Sequence, residues 1–537
     1  MKRFIEEYKD ESFDVVVIGG GITGACVAYD AASRGLSVAL VEKNDFGWAT
    51  SAATSKVIHG GLRYLKTFEF GLVRESLKER RILGNIAPNY IYPIPFMFVN
   101  PTFVMKIGLF VYDLLAFDKK FTWDQSKKIP NHYPLSREQV IAAEPNTKRE
   151  GLKEARVYYD CQNIFPERMT LTFLKSAVDC GARVSNYTRV EDFFVTEGNQ
   201  VSGIVVRDLV NNKICTIKGK LTINCAGPWA DIVLQLAERG VTKVKIRRSE
   251  GIHLIVRKLV DKKSVGTMTK AGHFFLIPWR GHSLIGTTDK EYPGTPDEYS
   301  VTRQSIQELL DTVNMDFGND NPIQYGDVLF AYGGLRPLLD AQGEDIHTTT
   351  RKYEINDHAS AGLGGIITVE GGKYTTSRNL AQNVLKVVEK KLRKKLVPCL
   401  TSKKRLSGCE IDDMEKFIES IKKENSDFEN TTVEYLGRNY GTEYSEVLQM
   451  ARQDKKLAEI VNADGEILAQ VVYAIRKEMA ITLKDIFFRR TGIGTLGNPG
   501  ERVMASVADI AASELGWNDD RKQRELSELA KSFQLPD

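Results

Sequence analysis

The chain has 537 residues, too many for one hydrophobic core, so two or three domains are expected, at least one of them assembled from separate stretches. Its composition, 42% hydrophobic and 27% charged, is that of an ordinary soluble protein, and a net charge of +4 on 74 basic and 70 acidic residues is too small to argue for a nucleic-acid partner. Seven scattered cysteines, with no CxxC pair and no metal-like spacing to histidine, favour free thiols in a reducing compartment and give no reason to expect a metal.

The opening MKRFIEEYKDESFD has two basic residues with no apolar stretch after them, so neither a secretory signal nor a transit peptide is expected. No run of eighteen apolar residues occurs, which excludes a spanning helix and leaves surface attachment open. The clearest organisation follows at 13–45, FDVVVIGGGITGACVAYDAASRGLSVALVEKND. A β-branched run at 15–18 predicts a strand buried on both faces. Gly19, Gly21 and Gly24 then form GxGxxG, a helical stretch stops at Gly35, and a second strand delivers Glu42. In a βαβ unit these glycines permit a tight turn and close backbone approach to a pyrophosphate at the helix N-terminus, and Glu42, 23 residues after Gly19, would accept hydrogen bonds from an adenosine ribose. Glu42 disfavours a 2′-phosphate, so the fingerprint predicts NAD or FAD. The next stretch, NDFGWATSAATSKVIHGGLRYL, is rich in small hydroxyl and glycine residues rather than a further βα unit. Such a segment suits a long cofactor, which favours FAD.

The pieces GGGITGA, DAASRGLSVALVE and ATSAATSKVIHGGLRYL resemble the FAD-dependent glycerol-3-phosphate dehydrogenases of the D-amino-acid oxidase and glycine oxidase superfamily, in the bacterial aerobic type. The resemblance continues in order through IGLFVYD (107–113), TINCAGPWAD (222–231), SEGIHLIV (249–256), FLIPWRGHSLIGTTDKEY (275–292), YGGLRPL (332–338), TTRKYEI (349–355), VEGGKYTTSRNLA (369–381) and QVVYAIRKEMAITLKDIFFRRTGIG (470–494). It implies an α/β FAD-binding domain of the Rossmann type, glutathione-reductase-like, from 1–100, 170–245 and 350–390. An antiparallel-sheet α+β substrate domain would come from 101–169 and 246–349, and an all-α C-terminal domain from 391–537. It implies oxidation of sn-glycerol 3-phosphate to dihydroxyacetone phosphate by hydride transfer to noncovalent FAD, with a quinone as acceptor. The oxidases of this family usually carry a sizeable central insertion, none of which is evident between these blocks, and the tail has no DxDxDG loop, so a prokaryotic dehydrogenase is expected.

For cofactor binding the resemblance points to Gly19, Gly21, Gly24, Glu42, Lys43, Thr54, Ser55, His59, Gly60, Gly61, Ala226, Gly227, Trp229, Gly372, Lys373 and Tyr374. It implies that Arg63, Tyr64, Arg336, Arg351 and Lys373 gather on the substrate side, where guanidinium groups suit a phosphate. Lys373 would stabilise negative charge on the reduced flavin, and Arg336 is the first choice for the phosphate. Of seven histidines, His253 in EGIHLIV, at the start of an apolar strand, is assigned as the base, and His59 is placed against the flavin. Two alternatives stay open: a flavin enzyme for another small anion, such as an amino acid, a 2-hydroxy acid or glycerophosphate with O₂ as acceptor, and a flavin-binding sensor without turnover.

The segment FVMKIGLFVYDLLAFDKK (103–120) mixes an apolar helical face with flanking lysines, and residues 386–405 carry nine basic residues against one acid. A basic, apolar-faced helix can lie on an anionic membrane, or can be a solvated linker. The family resemblance tips this toward a cytoplasmic enzyme held peripherally on the inner face of the cell membrane, and leaves room for a homodimer.

Overall fold

The structure is a computed structural model that describes residues 1–238, 245–269, 272–316, 321–339 and 352–537. The described residues form two sheets and a helical C-terminal region. The first sheet has eight strands. Its main path runs Tyr353–Asp357, Ile366–Gly371, Lys213–Asn224, Ser12–Ile18, Val38–Val41, Arg183–Ser185, and a hairpin of Thr188–Val195 and Val201–Asp208 pairs on Lys213–Asn224. The four pairings from Ile366–Gly371 across to Arg183–Ser185 are parallel.

A parallel sheet must be covered on both faces, and the valine run does this by alternation. Val15 and Val17 pack under the helices Ile22–Ser33, Pro166–Asp179 and Ser377–Leu392, whereas Val16 and Ile18 pack against the hairpin and the Ala230–Ala237 helix.

The second sheet has ten strands, in the order Lys290–Glu291, Ile246–Val256, His282–Gly286, Gly272–Trp279, Ser264–Thr269, Ile91–Val99, Glu154–Asn163, Val57–Ile58. Val328–Leu339 pairs with Ile246–Val256, and Tyr133–Ser136 with Glu154–Asn163. All of these pairings are antiparallel except that of Ser264–Thr269 with Ile91–Val99. The segment 1–100 thus feeds both sheets, since Val57–Ile58 and Ile91–Val99 pair in the second. Beyond residue 413 the chain is helical, from Met414–Glu424 to Asp519–Lys531, around two apolar clusters.

Candidate dinucleotide cleft and the face beside it

The strand Ser12–Ile18 ends in a turn that only glycine accommodates. Gly19 has φ +104°, and a Cβ there would sit 2.6 Å from the Cys225 carbonyl oxygen. A Cβ on Gly24 would lie 1.9 Å from the Gly19 carbonyl, so Gly24 sets the close approach of helix to turn. Gly21 caps the Ile22–Ser33 helix, and the Ile22 N–H donates to Ser51 Oγ at 2.9 Å. The Glu42 carboxylate accepts from Gly20 N–H at 2.7 Å and Asn44 N–H at 2.9 Å. Burial pushes this carboxyl above the ordinary range, against those two hydrogen bonds. Its remaining lone pairs can still accept hydroxyl donors.

A cleft opens at this turn. At one end it is lined by Glu42, Lys43, Thr188 and Arg189, and at the other by Gly371, Gly372, Lys373 and Tyr374; Gly19, Gly21, Ala226, Gly227 and Trp229 form its middle. Bare backbone and a helix N-terminus at the centre, with an acid at one end, fit a dinucleotide whose diphosphate sits on the glycine turn.

From Trp48 the chain crosses to the second sheet. Ile246–Val256 and Val328–Leu339 pair so that Ser249 faces Arg336, Gly251 faces Gly334 and His253 faces Tyr332, which puts all six on one side. The 49–61 segment lies against this side. Thr50 Oγ1 donates to Leu335 O (2.6 Å), Tyr332 OH donates to Thr54 O (2.9 Å), and Ser55 Oγ is hydrogen-bonded to His253 Nε2 (2.8 Å). Gly334 lets the segment in, since a Cβ there would be 2.6 Å from Ala53 Cβ. His253 is buried and stacks on Tyr332 at 5.0 Å. Burial, with Arg336 and Lys56 nearby, holds its pKa well below the ordinary histidine value, so the imidazole is neutral.

Arg336 lies flat over Gly251, where a Cβ would be 1.9 Å from Nη2. Its Nη1 donates to Glu250 O (3.1 Å) and Thr288 O (3.0 Å), and its Nη2 to Thr287 Oγ1 (2.6 Å). At the other end of the 49–61 segment, Gly60 N–H donates to Tyr112 OH (2.8 Å) and Asp160 Oδ1 (3.2 Å), and Gly61 adopts φ +79°. Arg63 Nη2 then donates to Tyr64 OH (3.1 Å), and Lys373 Nζ lies 5.0 Å from the Tyr64 ring while donating to Ser76 Oγ (2.5 Å). Burial brings the Lys373 pKa down to about 8, with Arg63 adding to the shift and Glu75 opposing it.

Residues 14–378 match the family described as FAD dependent oxidoreductase, and residues 399–522 match the C-terminal domain of alpha-glycerophosphate oxidase. The chain belongs to the FAD-dependent oxidoreductase family. Its relatives there include a glycerol-3-phosphate dehydrogenase of Synechocystis sp., 32% identical over 98% of this chain and 97% of its own. An aerobic glycerol-3-phosphate dehydrogenase of Staphylococcus aureus is 33% identical over 90% and 87%. The X-ray structure of the Bacillus halodurans glycerol-3-phosphate dehydrogenase complexed with FAD superposes with a TM-score of 0.80 at 28% identity, covering 98% of this chain and 96% of that one.

Within this FAD-dependent oxidoreductase, the residues expected at the cofactor separate by position. Gly19, Gly21, Glu42, Lys43, Ala226, Gly227, Trp229, Gly372, Lys373 and Tyr374 line the cleft. Gly24 packs behind the turn, and Thr54, Ser55, half-buried His59, Gly60 and Gly61 belong to the segment between the cleft and the second sheet. The Tyr374 hydroxyl is turned to Pro166 O (2.6 Å) and Thr170 Oγ1 (3.0 Å), so only the rest of that residue faces the cleft. Arg351 lies outside the described residues.

Several groups had no individual signal in the sequence. Trp48, Ser51, Arg189 and Asp297 also line the cleft. Lys56, with φ +55°, is buried with its Nζ donating to Glu167 Oε1 at 3.0 Å and 4.9 Å from the Trp279 ring. The serine-rich stretch that holds Lys56 was the available hint, but its partner acid is more than a hundred residues away.

Proposed function

We propose that this enzyme oxidises sn-glycerol 3-phosphate to dihydroxyacetone phosphate with FAD as its cofactor, and that the electrons pass on to a quinone. The observation that carries the reading is the 49–61 segment, which joins a dinucleotide cleft to two fixed cationic groups, Arg336 beside His253 and Arg63 beside Lys373. The full-length relatives named glycerol-3-phosphate dehydrogenases supply the substrate.

Noncovalent FAD would be held by the glycine turn at Gly19 and Gly21, by Glu42, and by Gly372 at the far end, and when bound it supplies the acceptor for the C2 hydride. Arg336 presents a planar fork to the phosphate, held in place by Thr287 and the Glu250 and Thr288 carbonyls. Arg63 and Lys373 contribute further positive charge on the other side. His253 is the base for the C2 hydroxyl proton. Its Nε2 is hydrogen-bonded to Ser55 Oγ, so the proton reaches the ring through that hydroxyl.

Anaerobic addition of glycerol 3-phosphate to the flavin-loaded protein tests the reading. Rapid bleaching of the flavin's visible absorbance is expected. Bleaching by glycine or lactate instead would move the enzyme to another small anion, and no bleaching by any of them would leave a flavin-binding protein without this activity.

A peripheral position on the inner face of the cell membrane belongs to the same proposal. Among the described residues no helix is long and apolar enough to cross a membrane. The Phe103–Leu115 helix, however, exposes Phe103, Val104, Ile107, Phe110 and Leu114. Arg405, at the end of the basic run, lies 5.5 Å from the Trp123 ring, which joins positive charge to the apolar surface that follows this helix. Flotation with vesicles containing anionic lipid is expected, and loss of flotation in Phe110→Asp; a wild type that stays with the soluble fraction would exclude this surface.

A further inference from the structure

Part of the cleft lining comes from the chain that leads out of the second sheet. Asp297, on the 292–302 segment between the Lys290–Glu291 strand and the Arg303–Asp316 helix, lines the cleft from the second-sheet side. Its Oδ1 accepts two hydrogen bonds, from Lys43 Nζ at 2.6 Å and from Trp229 Nε1 at 2.9 Å. Lys43 Nζ lies 4.3 Å from the centre of the Trp229 ring, and Trp48 packs on that ring at 5.5 Å. Lys43 follows Glu42 directly and Trp229 stands in the middle of the cleft, so these contacts reach from the acid's end to the middle of the cleft.

The segment that carries Asp297 is fixed at its base. Tyr292 N–H donates to Arg248 O at 2.8 Å, the Tyr292 and Tyr299 rings meet edge to face at 5.4 Å, and Thr302 Oγ1 accepts from Ser305 N–H at 3.1 Å where the next helix begins. A carboxylate held out from a fixed base, 62% exposed itself and meeting a lysine only 28% exposed, makes a contact between the two halves of the molecule that solvent ions can reach.

We propose that Asp297, with Lys43 and Trp229, is a clasp that retains the adenosine half of the bound FAD and sets how fast the cofactor leaves. The inference rests on the FAD reading above. Glu42 and the glycine turn provide the hydrogen bonds that orient the dinucleotide, whereas the clasp governs the opening through which it leaves. Breaking the clasp removes two hydrogen bonds to an ionised carboxylate, one of them from a charged donor, and frees Lys43 and Trp229 to swing.

The test is flavin release from the holoenzyme, followed as the rise in flavin fluorescence after dilution, in wild type, Asp297→Asn, Asp297→Ala and Lys43→Ala. Asp297→Ala should release FAD about tenfold faster than wild type at low salt, which corresponds to about 1.4 kcal/mol. Asp297→Asn keeps an acceptor for Trp229 but loses the charge facing Lys43, so its rate should fall between the two. Added salt should speed release from wild type and leave Asp297→Ala unchanged, and the Lys43→Ala, Asp297→Ala pair should be less than additive. Equal release rates in wild type and Asp297→Ala, or the same salt response in both, would overturn the clasp. The absorbance of the purified wild type is read first: a wild type that takes up no flavin overturns the FAD reading, and the clasp with it.

Discussion

Gly251 decides where Arg336 can lie. A Cβ there would fall 1.9 Å from Nη2, and the atom in the way is the far end of a flexible side chain rather than backbone. The strand can therefore keep its register while the guanidinium moves off the face. Gly251→Ala should leave the fold and flavin content intact and raise KM for glycerol 3-phosphate at least about tenfold, as Arg336→Ala should, since a charge-assisted pair contributes about 1.5–3 kcal/mol. Arg336→Lys should recover little of this, because a point charge cannot reproduce the three hydrogen bonds to Glu250, Thr288 and Thr287. Steady-state kinetics with matched flavin loading decides it. An unchanged KM in both Ala variants would remove Arg336 from the phosphate site.

Lys373 gives a second prediction at the same scale. Its pKa is lowered to about 8, chiefly by burial, so it is charged below that pH and neutral above it. Affinity for an anionic substrate should weaken as pH rises through about 8, appearing as a KM that climbs in wild type. Lys373→Arg keeps its charge across this range, and should flatten the climb. His253 works in the opposite direction on stability. Its folded pKa lies below the unfolded value, so the unfolded chain takes up a proton first as pH falls through the ordinary histidine range. Stability from the neutral ring is complete above that range and is lost below it, on the order of 1 kcal/mol per pH unit. Melting temperatures from neutral to mildly acid pH should fall less steeply in His253→Asn.

Among the elements, those legible in the sequence were the ones whose signal is local. The fingerprint strand, its helix and the Val38–Val41 strand follow one another within thirty residues and pair with each other, so periodicity and glycine spacing suffice. Ile91–Val99 shows the opposite case. It contains Pro93 and Pro95, which argue against a central strand. The structure reconciles them: Ile91–Val99 pairs along its length with Glu154–Asn163, but its partner on the other side, Ser264–Thr269, reaches only Phe96, Met97 and Phe98. The prolines stand where one edge has no strand partner among the described residues, a fact set by residues some sixty and one hundred and seventy positions away. The site divides in the same way. Glu42 and the glycines could be read from spacing, while Lys56 with Glu167, and Lys43 with Asp297, are pairs that only the fold brings together. The Phe103–Leu115 helix is another such case, because its exposed apolar residues were legible as a pattern but its attachment was not. Tyr112 fixes it inward, with the hydroxyl accepting from Gly60 N–H and donating to Asp160. Tyr112→Phe leaves Gly60 with the longer bond to Asp160 alone and should cost about 1–3 kcal/mol in denaturant unfolding. A change within error would mean that the helix is not held through this hydroxyl.

At the scale of the molecule, the C-terminal helices are joined to the first sheet through a buried carboxylate. Asp45 lies three residues beyond Glu42, and its two oxygens accept from Arg490 Nη1 and Nη2, both at 2.7 Å, and from Arg489 Nε at 2.5 Å. The arginines are consecutive, on the wider π-helical turn Ile486–Arg490. Arg489 also donates to Asp485 at 2.6 Å, and Asn186 adds a hydrogen bond to Asp45 at 3.0 Å. Burial opposes the charge on Asp45, but Arg490 and Arg489 hold its pKa below the usual carboxylate range. The stability this contributes is complete above the unfolded pKa of Asp, about 4, and is lost as pH falls toward the lower folded value. Arg490→Met should therefore cost about 3–5 kcal/mol near neutral pH, because it leaves much of a buried charge uncompensated. The deficit should shrink in acid. Asp45→Asn added to Arg490→Met should recover part of the loss, since the unpaired charge is then gone. Urea unfolding of wild type, both single variants and the double variant gives the coupling directly. A double variant no more stable than Arg490→Met would show that the arginine acts through packing and not through Asp45.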